Sequence, residues 1–471
     1  MKLLSFILLL LIIFCGISCK STSISPASPE VKVGTYSQPK QEASFIHIPV
    51  EMEMKSYFKA ADEAVPYEFK GKEQNCEGVS YDYKFIRNPI QIEGKPGKNA
   101  PIGIGISIEG KYALNLNYCS QCTSLFSSSK SCITPRIYAS CGIGEPMRKI
   151  KVEYDTEVDI KPNFQLESNT TLQNVIPKDK CEITVFKYDA TDRLVKEVTA
   201  ALTDLTKEID EGIESLEIRK EVELIWKSFT QPFPIQNYGF LYIYPEKIGI
   251  NDLKLQGTKL TFSAAVEAYP KVTFVQENLL EKELPDLSKI KKEEGFNVHL
   301  DLIADYDSLS AIINRELSGK TLKIKKRSIT LQKAKIYGAS NKQLSIEVEF
   351  AGSKKGKLFF LGTPVFNDSL QEISFPDLSF ELETKHLLLK SAKWLFSKKI
   401  TEMIRSHTTF NMNTFLNEAS KKIEKELNQI IAENIYLMGK MNETKVKTIF
   451  PDSKNLIIQT ELKGNLNVQI K

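Results

Sequence analysis

The chain has 471 residues, of which 42% are hydrophobic and 26% charged, values of a packed protein and too apolar for global disorder. Its 63 Lys+Arg against 59 Asp+Glu leave a net charge of only +4, which excludes a polyanion binder working by bulk charge, so no nucleic-acid partner is expected. Four His and two Trp thin the supply of metal ligands and general bases, and at roughly 150 residues per domain the length fits about three domains or two large ones.

Residues 1–18 read as a secretory signal peptide. Lys2 precedes an apolar run from Leu3 to Phe14, and Gly16, Ile17 and Ser18 lead into Cys19; a basic start, an apolar core of about 7–15 residues and small residues before a cleavage point mark an exported chain. Ser18-Cys19 resembles the lipobox of bacterial lipoproteins, with Gly16 standing where Leu is usual. That resemblance implies an acylated Cys19 as the lipid-attachment site and a membrane anchor. Lys20, in place of the Asp that retains many lipoproteins at the inner membrane, points to outer-membrane attachment in the cell envelope, facing periplasm or surface. The alternative, an uncleaved membrane helix from Leu3 to Cys19, falls slightly short of the roughly 20 apolar residues needed to span. Residues 19–43, rich in Ser, Pro and Lys, are expected to form a lipidated flexible tether.

Six further cysteines follow: Cys76, Cys119, Cys122, Cys132, Cys141 and Cys181. An even number in an exported chain predicts three disulfides. Lys111 to Tyr118 alternates like a strand, Ser127 to Lys130 reads as a loop tip, and Thr134 to Ser140 as a returning strand. Such a hairpin favours the nested pairs Cys119–Cys141 and Cys122–Cys132, leaving Cys76–Cys181. Cys119 and Cys122 also have the spacing of a zinc knuckle, but Cys132 and Cys141 lack a matching one. No metal or cofactor is expected.

The chain then repeats itself. Ile46-His47-Ile48-Pro49-Val50, followed by Ser56 to Ala61, is echoed by Val298-His299-Leu300-Asp301-Leu302 and Ser308 to Ile313, a shift of 252 positions (299 − 47). Leu260 to Val266 and Val272 to Phe274 are echoed by Leu456 to Leu462 and Val468 to Ile470. A long amphipathic helix precedes each closing pair. Leu194, Val198, Leu202, Leu205 and Ile209 recur every three or four residues in the first, and Leu416, Ala419, Ile423, Leu427 and Ile430 in the second. Between opening and closing, each half alternates like antiparallel strand. The predicted organisation is therefore α+β, in two tandem related domains at 44–280 and 295–471 joined by a linker at 281–294. The first domain carries the disulfides.

Few motifs suggest chemistry. His47 and His299 occupy matching positions, which tandem domains would hold far apart, and no nucleophile with a positioned acid stands near either. Ser107 lacks the second Gly of a nucleophile elbow, and Gly103 and Gly105 open no helix that would complete a phosphate loop. Lys323, Lys325, Lys326 and Arg327 cluster on a strand, and Lys354, Lys355 and Lys357 in a turn. Such runs meet lipid head groups or an anionic wall polymer, or are solvated surface. The expectation is a protein that is not an enzyme.

Trp226, Pro232, Pro234 and Phe240-Leu241-Tyr242-Ile243-Tyr244-Pro245 resemble the central signature of an uncharacterised bacterial lipoprotein family, catalogued as domain of unknown function 4403. Tyr83 to Ile90, Gly356 to Pro364 and Phe375 to Leu378 match it further. The duplicated layout also resembles the tubular lipid-binding superfamily, which includes bactericidal/permeability-increasing protein. That likeness implies in each domain a curved antiparallel sheet packed on a long helix, enclosing an apolar groove for lipid tails. Leu194, Val198, Leu202, Leu416, Ile423 and Leu427 are then expected on the groove side. The function so implied is binding or transfer of a hydrophobic ligand, with envelope proteins as further partners. The alternative is a structural or interaction module with solid domain cores.

Overall fold

Alternating β-branched and aromatic residues build strands that curl into half-barrel sheets, and about 50% of the structure is strand against 22% helix. The computed structural model describes residues 23–29, 39–123, 131–184, 187–235, 239–278, 281–432 and 435–470; the expected signal peptide and Cys19 lie outside them. The first half opens with β1 (Ser44–Glu53), α1 (Lys55–Ala64), β2 (Glu68–Glu73), β3 (Gly78–Arg87), β4 (Gln91–Pro96) and β5 (Ile102–Cys119). β6 (Ile137–Cys141), β7 (Arg148–Ile160), β8 (Leu166–Pro177), α2 (Thr191–Glu214) and α3 (Ile218–Phe229) follow. β9 (Gly239–Tyr242), β10 (Pro245–Gln256), β11 (Lys259–Ala268) and β12 (Lys271–Thr273) close it. Its own sheet is antiparallel, in the order β8-β7-β5-β3-β2, with β4 and β6 also joined to β5.

The second half runs β13 (Phe296–Asp305), α4 (Tyr306–Leu317), β14 (Thr321–Ile324), β15 (Arg327–Gly338), β16 (Leu344–Gly352) and β17 (Gly356–Gly362). It continues through α5 (Leu382–Ser391), α6 (Lys398–His407) and α7 (Met412–Glu426) to β18 (Ile435–Pro451) and β19 (Asn455–Ile470). Its expected long helix, α7, has 15 residues where α2 has 24. No helix among the described residues is long and apolar enough to cross a membrane.

A ten-stranded central sheet joins the halves, and its registers repeat. Advancing opening strands by 252 positions and closing strands by 196 (456 − 260) turns Ser44↔Ala268 of β1–β11 into Phe296↔Gly464 of β13–β19. The second offset turns Ile248↔Val266 of β10–β11 into Thr444↔Leu462 of β18–β19. The parallel contact Val272↔Leu302 between β12 and β13 becomes Val468↔Val50 between β19 and β1. Each half therefore lays its closing segment beside the other half's opening strand.

This reciprocity puts β1 next to β13, with Phe45 opposite Asn297, so the two histidine-bearing strands are neighbours rather than far apart. Both imidazoles are buried. Burial pushes both below the ordinary histidine value; Glu293 is the charge facing His47, while Glu42 at 3.5 Å, Glu461, Lys447 and Lys463 surround His299. A lowered imidazole pKa means that the unfolded chain binds the proton more readily. Stability is then full above about pH 6.5 and declines as the pH falls through it. Urea unfolding is expected to give a lower stability at about pH 5.5 than at about pH 7.5, and His47→Leu to narrow that difference. An unchanged difference in the variant would contradict this.

The six cysteines form three disulfides, but not the nested set. The bonds are Cys76–Cys122, Cys119–Cys132 and Cys141–Cys181, with Cα atoms 5.7, 5.8 and 5.5 Å apart. The hairpin is present, yet its register sets Cys141 opposite Leu114, five residues short of Cys119, which rules out Cys119–Cys141. Cys122 and Cys132 do face each other across a two-residue ladder, and each bonds elsewhere.

Two polar segments are docked rather than loose. Within the expected tether, Ile24 is 3% exposed and bridges Gly356. Within the expected linker, Leu284 and Ile290 are buried, and Leu287 bridges Ile248 of β10. The halves also differ inside. The second has one continuous core from Ile313 through Ile346, Phe360 and Ile404. The first divides among three small clusters, around Tyr112 and Leu114, around Ile102 and Val158, and around Phe164 and Trp226.

Candidate ligand groove

In β5 every second residue from Ile102 to Leu116 is apolar, Gly110 excepted, so one face of the strand is greasy along its length. Registers Ile106↔Tyr154 and Tyr154↔Leu172 extend that face across β7 and β8, and Phe85↔Tyr112 and Tyr83↔Leu114 extend it across β3. Along β5 the face carries no charged side chain, and on β7 the charged residue on it is Arg148, opposite Tyr112 at one end.

α2 roofs this face along β8. Thr156 and Thr170 share a hydrogen bond of 2.9 Å, and the Asp210 carboxylate accepts from Thr170 Oγ1 at 2.6 Å and Ser168 Oγ at 2.9 Å. Tyr154 donates to the Leu202 carbonyl at 3.3 Å. At the other end, Thr191 Oγ1 accepts from the Cys181 backbone at 2.8 Å, and the Asp189 carboxylate accepts from the Thr191 N–H at 3.1 Å.

Burial falls away from β7 to β5. Val152 and Tyr154 on β7 are 5% and 3% exposed, and Ile104, Ile106 and Ile108 on β5 are half-buried; at the far end of β5, Tyr83 beside Leu114 and Val79 beside Tyr118 are exposed. The result is a partly covered trough along β5, flanked by β4 beside Ile104 and Ile106 and roofed on one side by α2. The Tyr112 and Leu114 cluster stands at one end and the Ile102 and Val158 cluster at the other. Burial pushes the Tyr112 and Tyr154 phenols up to about 12, so both stay neutral. Among the described residues, no three His, Cys, Asp or Glu side chains are grouped to hold a metal.

The expected groove residues separate into two sets. Leu194, Val198 and Leu202 lie half-buried on α2, with Leu194 packed on the Tyr112 cluster. Leu416 is buried in the continuous core of the second half, and Ile423 and Leu427 are half-buried at the end of α7. The floor residues Ile106, Ile108, Tyr81 and Phe85 were not singled out from the sequence, although the unbroken alternation of β5 was the signal for them.

A curled sheet with its apolar face half open beneath an amphipathic helix defines the class, a helix-roofed half-barrel. The chain belongs to the family described as Domain of unknown function (DUF4403), which matches residues 42–470. Among solved structures it is similar to lipopolysaccharide binding protein, at 10% identity over 91% of this chain and 98% of that one, with a TM-score of 0.26. It is also similar to P47 of Clostridium botulinum E1 (8% identity, 90% and 98% covered, TM-score 0.23) and of Clostridium botulinum A2 (9%, 90% and 97%, TM-score 0.25). No curated protein matches the sequence.

The stretches that carried the family resemblance act as fasteners. Trp226, 1% exposed, donates from Nε1 to the Lys282 carbonyl at 3.0 Å, and the Tyr242 hydroxyl accepts from the Glu277 N–H at 2.5 Å. Together they strap Glu277 and Lys282 onto the first half. Arg87 closes the early motif, donating to Asp62 Oδ1 at 2.5 Å and to the carbonyls of Asp62, Val65, Pro66 and Asn88 at 2.6 to 3.0 Å.

Proposed function

We propose that the protein is a non-enzymatic envelope lipoprotein, anchored through Cys19, that binds or passes on an apolar ligand, most simply lipid acyl chains, in the trough of its first half. The observation carrying this reading is the incomplete cover of that face: Val152 and Tyr154 are buried beneath α2, whereas Ile106 and Ile108 opposite them are only half-buried. A largely apolar sheet face that α2 covers only in part leaves area that a ligand would remove from water, at about 0.8 kcal/mol per buried CH₂. The repeated registers support descent of both halves from one duplicated unit. In this reading the second half, with its continuous core, has become the solid partner, so one ligand site is expected rather than two.

Native mass spectrometry of protein purified from its own membranes is the test. The expected result is a lipid mass retained by the wild type. Val198→Glu, which puts a charge on the roof without emptying a packed core, is expected to lose that mass while circular dichroism stays unchanged. Wild-type spectra without adducts would overturn the reading and favour an interaction module.

A further inference from the structure

The basic residues singled out in the sequence converge at one end of the second half, and the trough does not use them. β14 and β15 are joined through Lys325 and Lys326, with Ile324 opposite Arg327. The next turn, between β16 and β17, carries Lys354 and Lys355. The two turns lie side by side: the Ser353 N–H donates to the Ser328 carbonyl at 2.8 Å, and the Ser328 N–H to Ser353 Oγ at 3.0 Å. Lys399, at the start of α6, donates to the Lys323 carbonyl at 3.4 Å, and the Arg327 guanidinium lies 5.3 Å from the centre of the Trp394 ring.

Lys323, Lys325, Lys326, Arg327, Lys355 and Lys399 are all exposed, and none of these six forms an ion pair among the described residues. Residues 320–328, 351–358 and 385–400 contain no Asp or Glu. A chain whose net charge is only +4 therefore gathers more than that on one face. Aromatic rings sit among the cations, Trp394 beneath Arg327 and Phe396, 37% exposed, beside Lys385.

The N-terminal segment leads to the same face. Ile24 donates to the Lys355 carbonyl at 3.0 Å and accepts from the Lys357 N–H at 2.8 Å. Gly356 makes this possible: it holds a φ of +153°, and a Cβ there would collide with the Ile24 backbone. Cys19 is five residues upstream, and five residues reach at most about 18 Å.

We infer that this face rests on the anionic lipid head groups of the bilayer that holds the Cys19 anchor, so that the second half stands on the membrane. Acyl chains and a polybasic surface are the two signals whose combination gives stable attachment. The anchor half of this inference rests on the reading of Cys19 given above; the charge half does not.

The test uses the mature chain, residues 19–471, carrying Cys19→Ala. It is expected to float with vesicles of phosphatidylcholine containing about 30% phosphatidylglycerol, to be released by salt, and to ignore phosphatidylcholine alone. Reversing Lys323, Lys326, Arg327 and Lys355 to Glu, all exposed positions, should lower vesicle affinity by about 100-fold or more. Brominated lipid should quench Trp394 and spare the buried Trp226, a difference read by comparing Trp394→Phe with the parent. Equal flotation on both vesicles, undiminished binding after charge reversal, or no quenching of Trp394 would each overturn the inference. Intact mass of the wild type from membranes tests the anchor separately. A chain without acyl mass would remove the anchor and leave a positive vesicle result standing, whereas an acylated chain whose basic face fails on vesicles would leave only the anchor.

Discussion

Arg87→Ala is expected to destabilise the protein by about 3–5 kcal/mol, measured by urea unfolding near neutral pH. The Arg87 side chain is 1% exposed and serves five acceptors, three of them backbone carbonyls around the end of α1 and the entry to β2 and one the Asn88 carbonyl just after β3. Removing it strands those carbonyls and leaves the Asp62 carboxylate without its cation. Arg87→Lys should recover little, because one ammonium cannot reproduce a planar fork that faces several acceptors at once. The ring of Tyr67, 4.0 Å from the guanidinium, would lose its stacking partner as well. The Ile90 N–H, the Tyr67 hydroxyl and Arg87 hold the Asp62 carboxyl below the usual carboxylate range. This contribution is therefore complete at neutral pH and fades as the pH falls below about 4. A loss under about 1 kcal/mol would show that the network is dispensable.

The second large effect is expected from Cys141→Ala with Cys181→Ala. The bond closes a separation of 40 residues, which the chain-entropy account values at about 4 kcal/mol. Loop length alone would rank Cys76–Cys122, with a separation of 46, marginally higher. Burial reverses that order. Cys141 and Cys181 are fully buried in the Tyr112 cluster, whereas Cys76 and Cys122 are only half-buried. Cys181 also positions the first turn of α2 through Thr191 and Ala190. Its loss should free the roof as well as lower stability, so hydrogen exchange of α2 amides is expected to rise with the urea midpoint falling. If α2 stays protected while stability drops, the bond constrains the unfolded chain alone.

The repeat was legible in the sequence, because strands carry their apolar alternation with them when a unit is copied; the registers were not. The echoes of Ile46 in Val298 and of Leu260 in Leu456 carry the same offsets that the observed pairings obey. The disulfides were not legible from the hairpin alone: a hairpin says which strands meet, while a slide of five residues decides which cysteines do. The packing of Leu284, Leu287 and Ile290 was hidden in a charged stretch, since three apolar residues among lysines and glutamates resemble a linker until a surface is found for them. The difference between the halves was beyond reach for a simpler reason. Leu202 beside a trough and Leu416 inside a core are the same residue on the same kind of helix, and only the number of neighbours separates them.

The exchange of closing segments across the central sheet has a consequence for biogenesis. β1 is synthesised early, but its parallel neighbour at Val468 to Ile470 follows about 400 residues later. Until then the edge of β1 offers unpaired N–H and C=O groups to any passing chain. Vectorial synthesis should therefore place this protein among clients that need a holdase until residues 468–470 have been made. Splitting it at the strap, to make each half alone, would leave both opening strands permanently in that exposed condition.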